Sequence, residues 1–253
     1  MPELNYHIAC PVGSVGGYCI LPGDPGRVES IAALLAGAEK VAQNREYLSY
    51  TGTISGEKVT VCSTGIGGPS TAIAMEELHS LGAHTFIRIG TAGGINTKVR
   101  AGDLVVASAA IRQEGTAMHY APLEYPAAAD FDVTRALDDA AKLLGARRHV
   151  GVVQAKDSFY GQHSPEKSPV SYELLEKWES WKRLGVLASE MESATLFVVA
   201  NALGCRAGSV FNIIWNQERK AAGITDEPDC HDTSLAVRCA VEAVQLLVER
   251  DSA

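Results

Sequence analysis

Short apolar runs, rich in β-branched residues and bounded by turn formers, predict strands at residues 18–21, 59–62, 85–89, 104–107, 150–153, 186–188 and 209–214. Between them the apolar positions recur at helical spacing, over 27–35, 71–81, 133–144, 171–184, 191–203 and 233–249. In the last of these, Leu235, Val237, Val241, Val244, Leu246 and Leu247 form a broad apolar side, as expected of a helix packed on a sheet. Strands alternating with helices predict an α/β layered fold. Two stretches fit neither period: 113–131, with Met118, His119, Tyr120 and Tyr125, and 159–170, with Gln162 and His163. Connections of that length in a compact domain are commonly functional or mobile. No repeat, Ser/Pro-rich linker, charge run or composition break interrupts the chain, so residues 1–253 are expected to form one domain.

Composition narrows the classes. At 46% hydrophobic and 21% charged residues, the chain can bury a full core and remain soluble. A net charge of −8 argues against nucleic acid or an anionic membrane surface as a partner. It also means that an anion site must be built locally, which gives individual arginines weight. Met1-Pro2-Glu3-Leu4-Asn5 lacks the basic and apolar regions of a signal peptide, and no apolar stretch is long enough to span a membrane. The six cysteines include no Cys-x-x-Cys pair, and Cys19, Cys62 and Cys239 lie inside apolar runs. Reduced thiols and a cytoplasmic location are therefore expected. Cys230-His231 has no second pair at zinc spacing.

Candidate chemistry collects in glycine-rich segments that follow the early apolar runs. Pro22-Gly23-Asp24-Pro25-Gly26-Arg27 follows the first, Gly65-Ile66-Gly67-Gly68-Pro69-Ser70-Thr71 the second, and Arg88-Ile89-Gly90-Thr91-Ala92-Gly93-Gly94 ends the third. Glycine turns leave N–H groups bare and admit a ligand close to the backbone, and arginine adds a planar charged fork that matches phosphate oxygens. Any one of these segments is ordinary turn chemistry. Their repetition at successive strand ends, where ligands collect in open α/β sheets, points to one pocket for a phosphate-like anion. Nucleotide fingerprints fit poorly: Gly65-x-Gly67 runs on to Ser70, no acid lies near Thr85, and there is no P-loop. A further segment, Ala188-Ser189-Glu190-Met191-Glu192-Ser193, admits two readings. Ser189 and Glu192 have the spacing of a helix capping box. Alternatively, Glu192 points into the pocket and accepts hydrogen bonds from vicinal sugar hydroxyls.

Taken in order, several motifs resemble the hexameric nucleoside phosphorylases that take purine nucleosides or uridine, most of all their uridine-cleaving members. They are Pro22 to Arg27, Asn44-Arg45-Glu46-Tyr47, Cys62-Ser63-Thr64 with the glycines through Ser70, Arg88 to Gly94, His119-Tyr120-Ala121-Pro122-Leu123-Glu124-Tyr125-Pro126, Phe159-Tyr160-Gly161-Gln162 and Glu190-Met191-Glu192-Ser193-Ala194-Thr195. The resemblance covers nearly the whole chain. It implies a single-domain three-layer α/β/α fold with a mixed central sheet. It implies phosphorolysis, in which phosphate displaces the base from C1′ to give ribose 1-phosphate and free base, with phosphate a co-substrate and no cofactor required. By the same resemblance Gly23, Arg27, Arg88 and Thr91 bind phosphate, and Arg45 reaches that site from a neighbouring subunit. His7 of the neighbour approaches the ribose 5′-hydroxyl, Met191 and Glu192 hold the ribose, and Phe159, Gln162 and His163 meet the base. Arg88 and Glu192 are then the residues that carry catalysis. A homo-oligomer, a hexamer arranged as a trimer of dimers, is implied too, with a potassium ion in the dimer interface near Glu46, Ile66 and Ser70. The chemistry agrees: an oxocarbenium-like transition state needs electrostatic support and a positioned nucleophile, with no covalent enzyme intermediate. Cys62 and Ser63 read as strand residues rather than nucleophiles.

Two departures from the family pattern bear on the base. Purine-cleaving relatives place an Asp after the strand at 209–214; here Ile213-Ile214-Trp215-Asn216-Gln217 has no acid, which favours a pyrimidine. Many uridine-cleaving relatives follow the base-binding glutamine with an arginine; here Gln162-His163-Ser164 leaves a uracil carbonyl to His163 or a water. The alternatives are a purine nucleoside phosphorylase, a water-using nucleosidase, which would not need Arg27, Arg45 and Arg88 together, and a non-catalytic nucleoside-binding protein, which would not need a phosphate site.

Overall fold

The computed structural model describes residues 5–224 and 228–252. The reading of residues 1–4 as free of a signal sequence, and the outermost ends of the expected domain, lie outside them. Among the described residues the strands are β1 (Tyr18–Pro22), β2 (Ala36–Asn44), β3 (Tyr47–Ile54), β4 (Glu57–Cys62), β5 (Thr85–Gly94), β6 (Leu104–Gln113), β7 (Ala127–Ala128), β8 (Arg148–Lys156), β9 (Ala188–Glu190) and β10 (Arg206–Asn216). The helices are α1 (Val28–Ala32), α2 (Gly68–Ser80), α3 (Phe131–Leu143), α4 (Phe159–His163), α5 (Ser171–Arg183), α6 (Ser193–Ala202), α7 (Gln217–Ala221) and α8 (Ser234–Asp251).

All strands belong to one mixed sheet, in the order β10-β6-β8-β9-β5-β1-β4-β3-β2, with β7 on β6. Parallel pairing joins β4, β1, β5 and β10, whereas β9 meets β5, and β6 meets β10, in antiparallel sense. Because β10 pairs with both β5 and β6, the strands β5, β9, β8, β6 and β10 close on themselves. Helices cover both faces, as an α/β layered fold requires. On one face α1, α3 and α8 pack Ile31, Leu137, Val244 and Leu247 against Ile20, Val61, Ile87 and Val106. On the other, α2 and α6 pack Met75, Leu78, Phe197 and Val199 against Cys19, Leu21, Phe86 and Phe211. No helix among the described residues is long and apolar enough to cross a membrane.

Most predicted elements are present, and the differences have physical causes. The hairpin β2–β3 has no counterpart in the predicted strands. Its outer strand β2 is largely exposed and has irregular register, so no apolar run marks it. The glycines after Arg88 are not a turn: β5 continues through Gly94. They serve close packing instead, since a Cβ on Gly94 would lie 2.6 Å from Asn216 Nδ2, which donates to the Asn96 and Val99 carbonyls. Within 159–170, residues 159–163 form the short helix α4, with Ser158 as its cap.

A cluster at the end of α8 ties that helix to three strand starts. The Asp251 carboxylate accepts from Arg206 Nη1 and Nη2 and from the Tyr18 hydroxyl, and Arg206 also donates to Thr85 Oγ1. The Arg206 hydrogen bonds hold the Asp251 carboxyl down to about 2, below its ordinary 3.8. A depressed acid contributes stability that is present above its unfolded pKa and is lost as pH falls through the folded one. Asp251→Asn should therefore lower the melting temperature at neutral pH by about 2–4 °C, the equivalent of about 1 kcal/mol for a partly exposed pair. The difference from wild type should shrink between about pH 4 and about pH 2. A melting difference that does not change with pH would refute this role for Asp251.

Candidate active site

The strand ends and their glycine turns enclose a cavity of about 970 Å³. One end is cationic. Arg88 stands within β5, between Leu21 of β1 and Ser209 of β10 in register, and is 5% exposed. Its Nε and Nη1 are buried without a hydrogen-bond partner, although Nε lies 3.6 Å from Glu190 Oε2. Arg27 follows the short turn capped by Asp24 and lines the same end with Gly23 and Thr91. Burial pulls the Arg27 guanidinium down from its ordinary value, with Asp24 opposing and Arg88 adding to the effect. Gly23 has no room for a side chain: a Cβ would sit 3.1 Å from the Gly65 carbonyl and 3.6 Å from Arg88 Nη2. Two guanidinium groups, one with unsatisfied N–H groups, have the chemistry to hold an anion in an otherwise acidic protein.

Next to the arginines lies the pair Glu190 and Glu192. The capping-box reading does not hold. Ser189 belongs to β9, α6 starts at Ser193, and Glu190 accepts from the Glu192 and Ser193 amides at the helix start. Glu192 is thereby freed for the cavity. Its Oε1 accepts from Gly67 N at 2.7 Å, at the N-terminus of α2, and its Oε2 is bonded to Arg88 Nη2. A carboxylate has about four acceptor positions, so two remain for vicinal hydroxyls. Met191 lines the cavity beside it.

The far end is aromatic. The His163 ring lies 4.2 Å from that of Phe159 and 5.7 Å from that of Trp215, the latter pair stacked. Burial, and then the charge of Lys156, lower the His163 pKa and favour the neutral ring. Gln162 is placed behind this wall: it is buried and borders a smaller adjoining cavity of about 190 Å³. Lys156 borders both cavities, and Ser189 lines the main one.

Some expected residues are not brought together within one chain. Arg45 is exposed at the tip of the β2–β3 hairpin, with φ of 53°, and does not line the cavity. His7 does not line it either; its Nδ1 is paired with Glu77 Oε1 at 2.6 Å. Glu46 and Ile66 stand at the rim, and Ser70 Oγ donates to Glu46 Oε1 at 2.9 Å. Among the described residues no cluster of three or more His, Cys, Asp or Glu side chains has metal-site geometry. Cys62 ends β4 and is fully buried, which pushes its thiol up to about 12, whereas Ser63 lies just past the strand, where its hydroxyl donates to the Glu46 carbonyl. Reasoning from sequence missed Lys156, Asp229 and His231, which all line the cavity. A lysine closing an otherwise apolar run just before the Phe159 segment was the available signal for the first. The other two come from a long connection without periodic pattern.

Burial, reinforced by Glu192 and opposed by Arg88, raises the Glu190 carboxyl above the ordinary carboxylate range. An acid with a raised pKa binds its proton more tightly when folded, so stability falls as pH rises through that window. Glu190→Gln keeps an acceptor for the α6 amides and removes the titration. Its melting temperature should gain on wild type steadily from about pH 5 to about pH 8. A gap that is constant across that range would rule the effect out.

Residues 18–249 match the model of the phosphorylase superfamily. A uridine phosphorylase of Treponema pallidum is 53% identical, covering 99% of this chain and 96% of that protein. The uridine phosphorylase of Escherichia coli is 45% identical over 90% of this chain and 91% of its own. A guanosine phosphorylase of Halorubrum lacusprofundi is 40% identical over 87% and 88%. With a family model matching residues 18–249 and relatives of 40–53% identity along most of its length, the chain belongs to the phosphorylase superfamily.

Proposed function

We propose that this protein is a uridine phosphorylase, and the observation that carries this reading is Arg88. Its unsatisfied N–H groups, beside Arg27, offer a phosphate the hydrogen bonds that nothing in the chain supplies, while Glu192 stands next to it for the ribose. Phosphate held there attacks C1′ while the sugar is fixed by its hydroxyls. Such positioning, with charge stabilisation around an oxocarbenium-like state, accounts for catalysis without a covalent intermediate. A water-using nucleosidase or a passive nucleoside-binding protein has no use for the arginine pair. Relatives named uridine phosphorylase support the pyrimidine reading. So does β10, which leaves the cavity through Trp215-Asn216-Gln217 with no carboxylate to protonate a purine. Asp229 reaches the rim from a later, exposed position.

The six unbridged cysteines suit a reducing cytoplasm. Arg45 and His7 suit a site shared between subunits. A left-handed backbone at a non-glycine residue is strained and persists where it serves a purpose. Arg45 sits exposed at the hairpin tip and outside its own cavity, which suits a residue offered to a neighbour in the hexamer of the resembled family. The oxygens of Glu46, Ser70 and Ile66 are hard donors that suit a potassium ion once a second subunit completes the set.

Uridine, thymidine and inosine incubated with and without phosphate test the assignment. Uracil release should depend on phosphate, and Arg27→Ala, which leaves the buried Arg88 cluster intact, should lower the rate about a hundredfold, as when one preorganised oxyanion donor is removed. Inosine turnover equal to that of uridine would overturn the reading in favour of the purine enzyme. Subunit sharing is tested by mixing Arg45→Ala and Glu192→Gln protomers. Mixed assemblies should recover activity that neither variant has alone, and a fully active monomer in sedimentation would defeat the shared site.

A further inference from the structure

Lys156 closes β8 and is 6% exposed, yet no carboxylate among the described residues lies within ion-pair distance of it. Its Nζ donates to Ser189 Oγ at 2.7 Å and, at 3.5 Å, to the Glu190 carbonyl. An ammonium has three N–H groups and no acceptor, so Ser189 must accept from Lys156 and pass its own proton onward. It does so to Gln162 Oε1 at 2.8 Å. The direction of this chain fixes the Gln162 amide with its oxygen toward Ser189 and its NH₂ toward Gly93, which lines the main cavity. The polar groups so arranged are donors, and they complement an acceptor on the ligand. A buried cation with no carboxylate in direct contact is costly unless an anion arrives to meet it.

Resting on the uridine reading, we propose that Lys156 is the cation that meets the base. Through Ser189 it orients the Gln162 amide, and its third N–H stands for the carbonyl oxygen on which the departing pyrimidine carries its charge. As the phosphate oxygen forms its bond to C1′, the C1′–N1 electron pair leaves with the ring and is delocalised onto the carbonyl oxygens. The ammonium stabilises that anion, which takes a proton from solvent on release. Burial lowers the lysine to about 8, with Glu190 and Glu192 opposing, so the ammonium form prevails at neutral pH. This assigns to a different strand the role that the chain lacks at Ser164.

The test compares uridine with 5-fluorouridine, whose ring bears the negative charge more easily. Lys156→Met should lower kcat on uridine about a hundredfold but on 5-fluorouridine by about tenfold or less, with the KM for phosphate unchanged. Lys156→Arg should restore part of the loss. Equal losses on the two nucleosides, or no loss, would overturn the proposal. If Lys156→Met does not fold, Ser189→Ala decides: the KM for uridine should rise about tenfold with that for phosphate unchanged, and an unchanged uridine KM refutes the relay. A wild-type protein that cleaves no uridine under saturating phosphate would instead overturn the uridine reading, which keeps the two failures apart.

Discussion

The charged cluster of Arg88, Glu190 and Glu192, sealed between the sheet and the starts of two helices, is the constraint on which the site depends. Removing one partner of a buried ion pair costs about 3–5 kcal/mol because the other charge is left stranded. Each member is held several times over: Glu190 by the α6 amides, Glu192 by Gly67 at the head of α2, and Arg88 by its place in β5 between two parallel neighbours. The cluster therefore locks the relative positions of β5, β9, α2 and α6. Its spare hydrogen-bonding capacity lies at Nε and Nη1 of Arg88 and in the unused lone pairs of Glu192, and both residues line the cavity. On the proposed function, fold stability and ligand recognition draw on the same three side chains.

Much of the fold was legible because its central strands are buried on both faces and read as unbroken apolar runs, as in residues 18–21 and 85–89. The arginines and glycines that the cavity gathers were legible for a related reason. A short polar or glycine-rich segment directly after such a run has few structural uses beyond turning the chain or holding a ligand. The hairpin β2–β3 escaped because an exposed edge strand is held by pairing rather than by alternating burial. The extension of β5 to Gly94 escaped because its glycines look like a turn when they are a strand packed tightly against β10.

Glu192 and Lys156 show where local rules give way to tertiary structure. The spacing of Ser189 and Glu192 satisfies a capping box, but the sheet claims Ser189 for β9, and Glu190 takes over the cap. Lys156 closes a largely apolar strand just before the Phe159 segment, a signal that marks its position but not its partners. Its meaning comes from β9, which pairs with β8 and sets Ser189 between the lysine and Gln162. That relation spans dozens of residues and exists only once the ring of strands has closed.

Closure of that ring also separates the two chemical tasks. The anion end hangs on β1 and β5 with their turns, whereas the base end hangs on β8, β9, α4 and the end of β10. The Arg88 cluster sits between them and belongs to both. A substitution at Trp215, His163 or Lys156 can therefore reshape the surface that reads the base while the arginines and Glu192 keep their geometry. The reverse change is harder, because altering the arginine end disturbs charges buried in the sheet itself. On the proposed function, base preference is the property this architecture leaves easier to adjust, and the phosphate–ribose chemistry is tied to the fold.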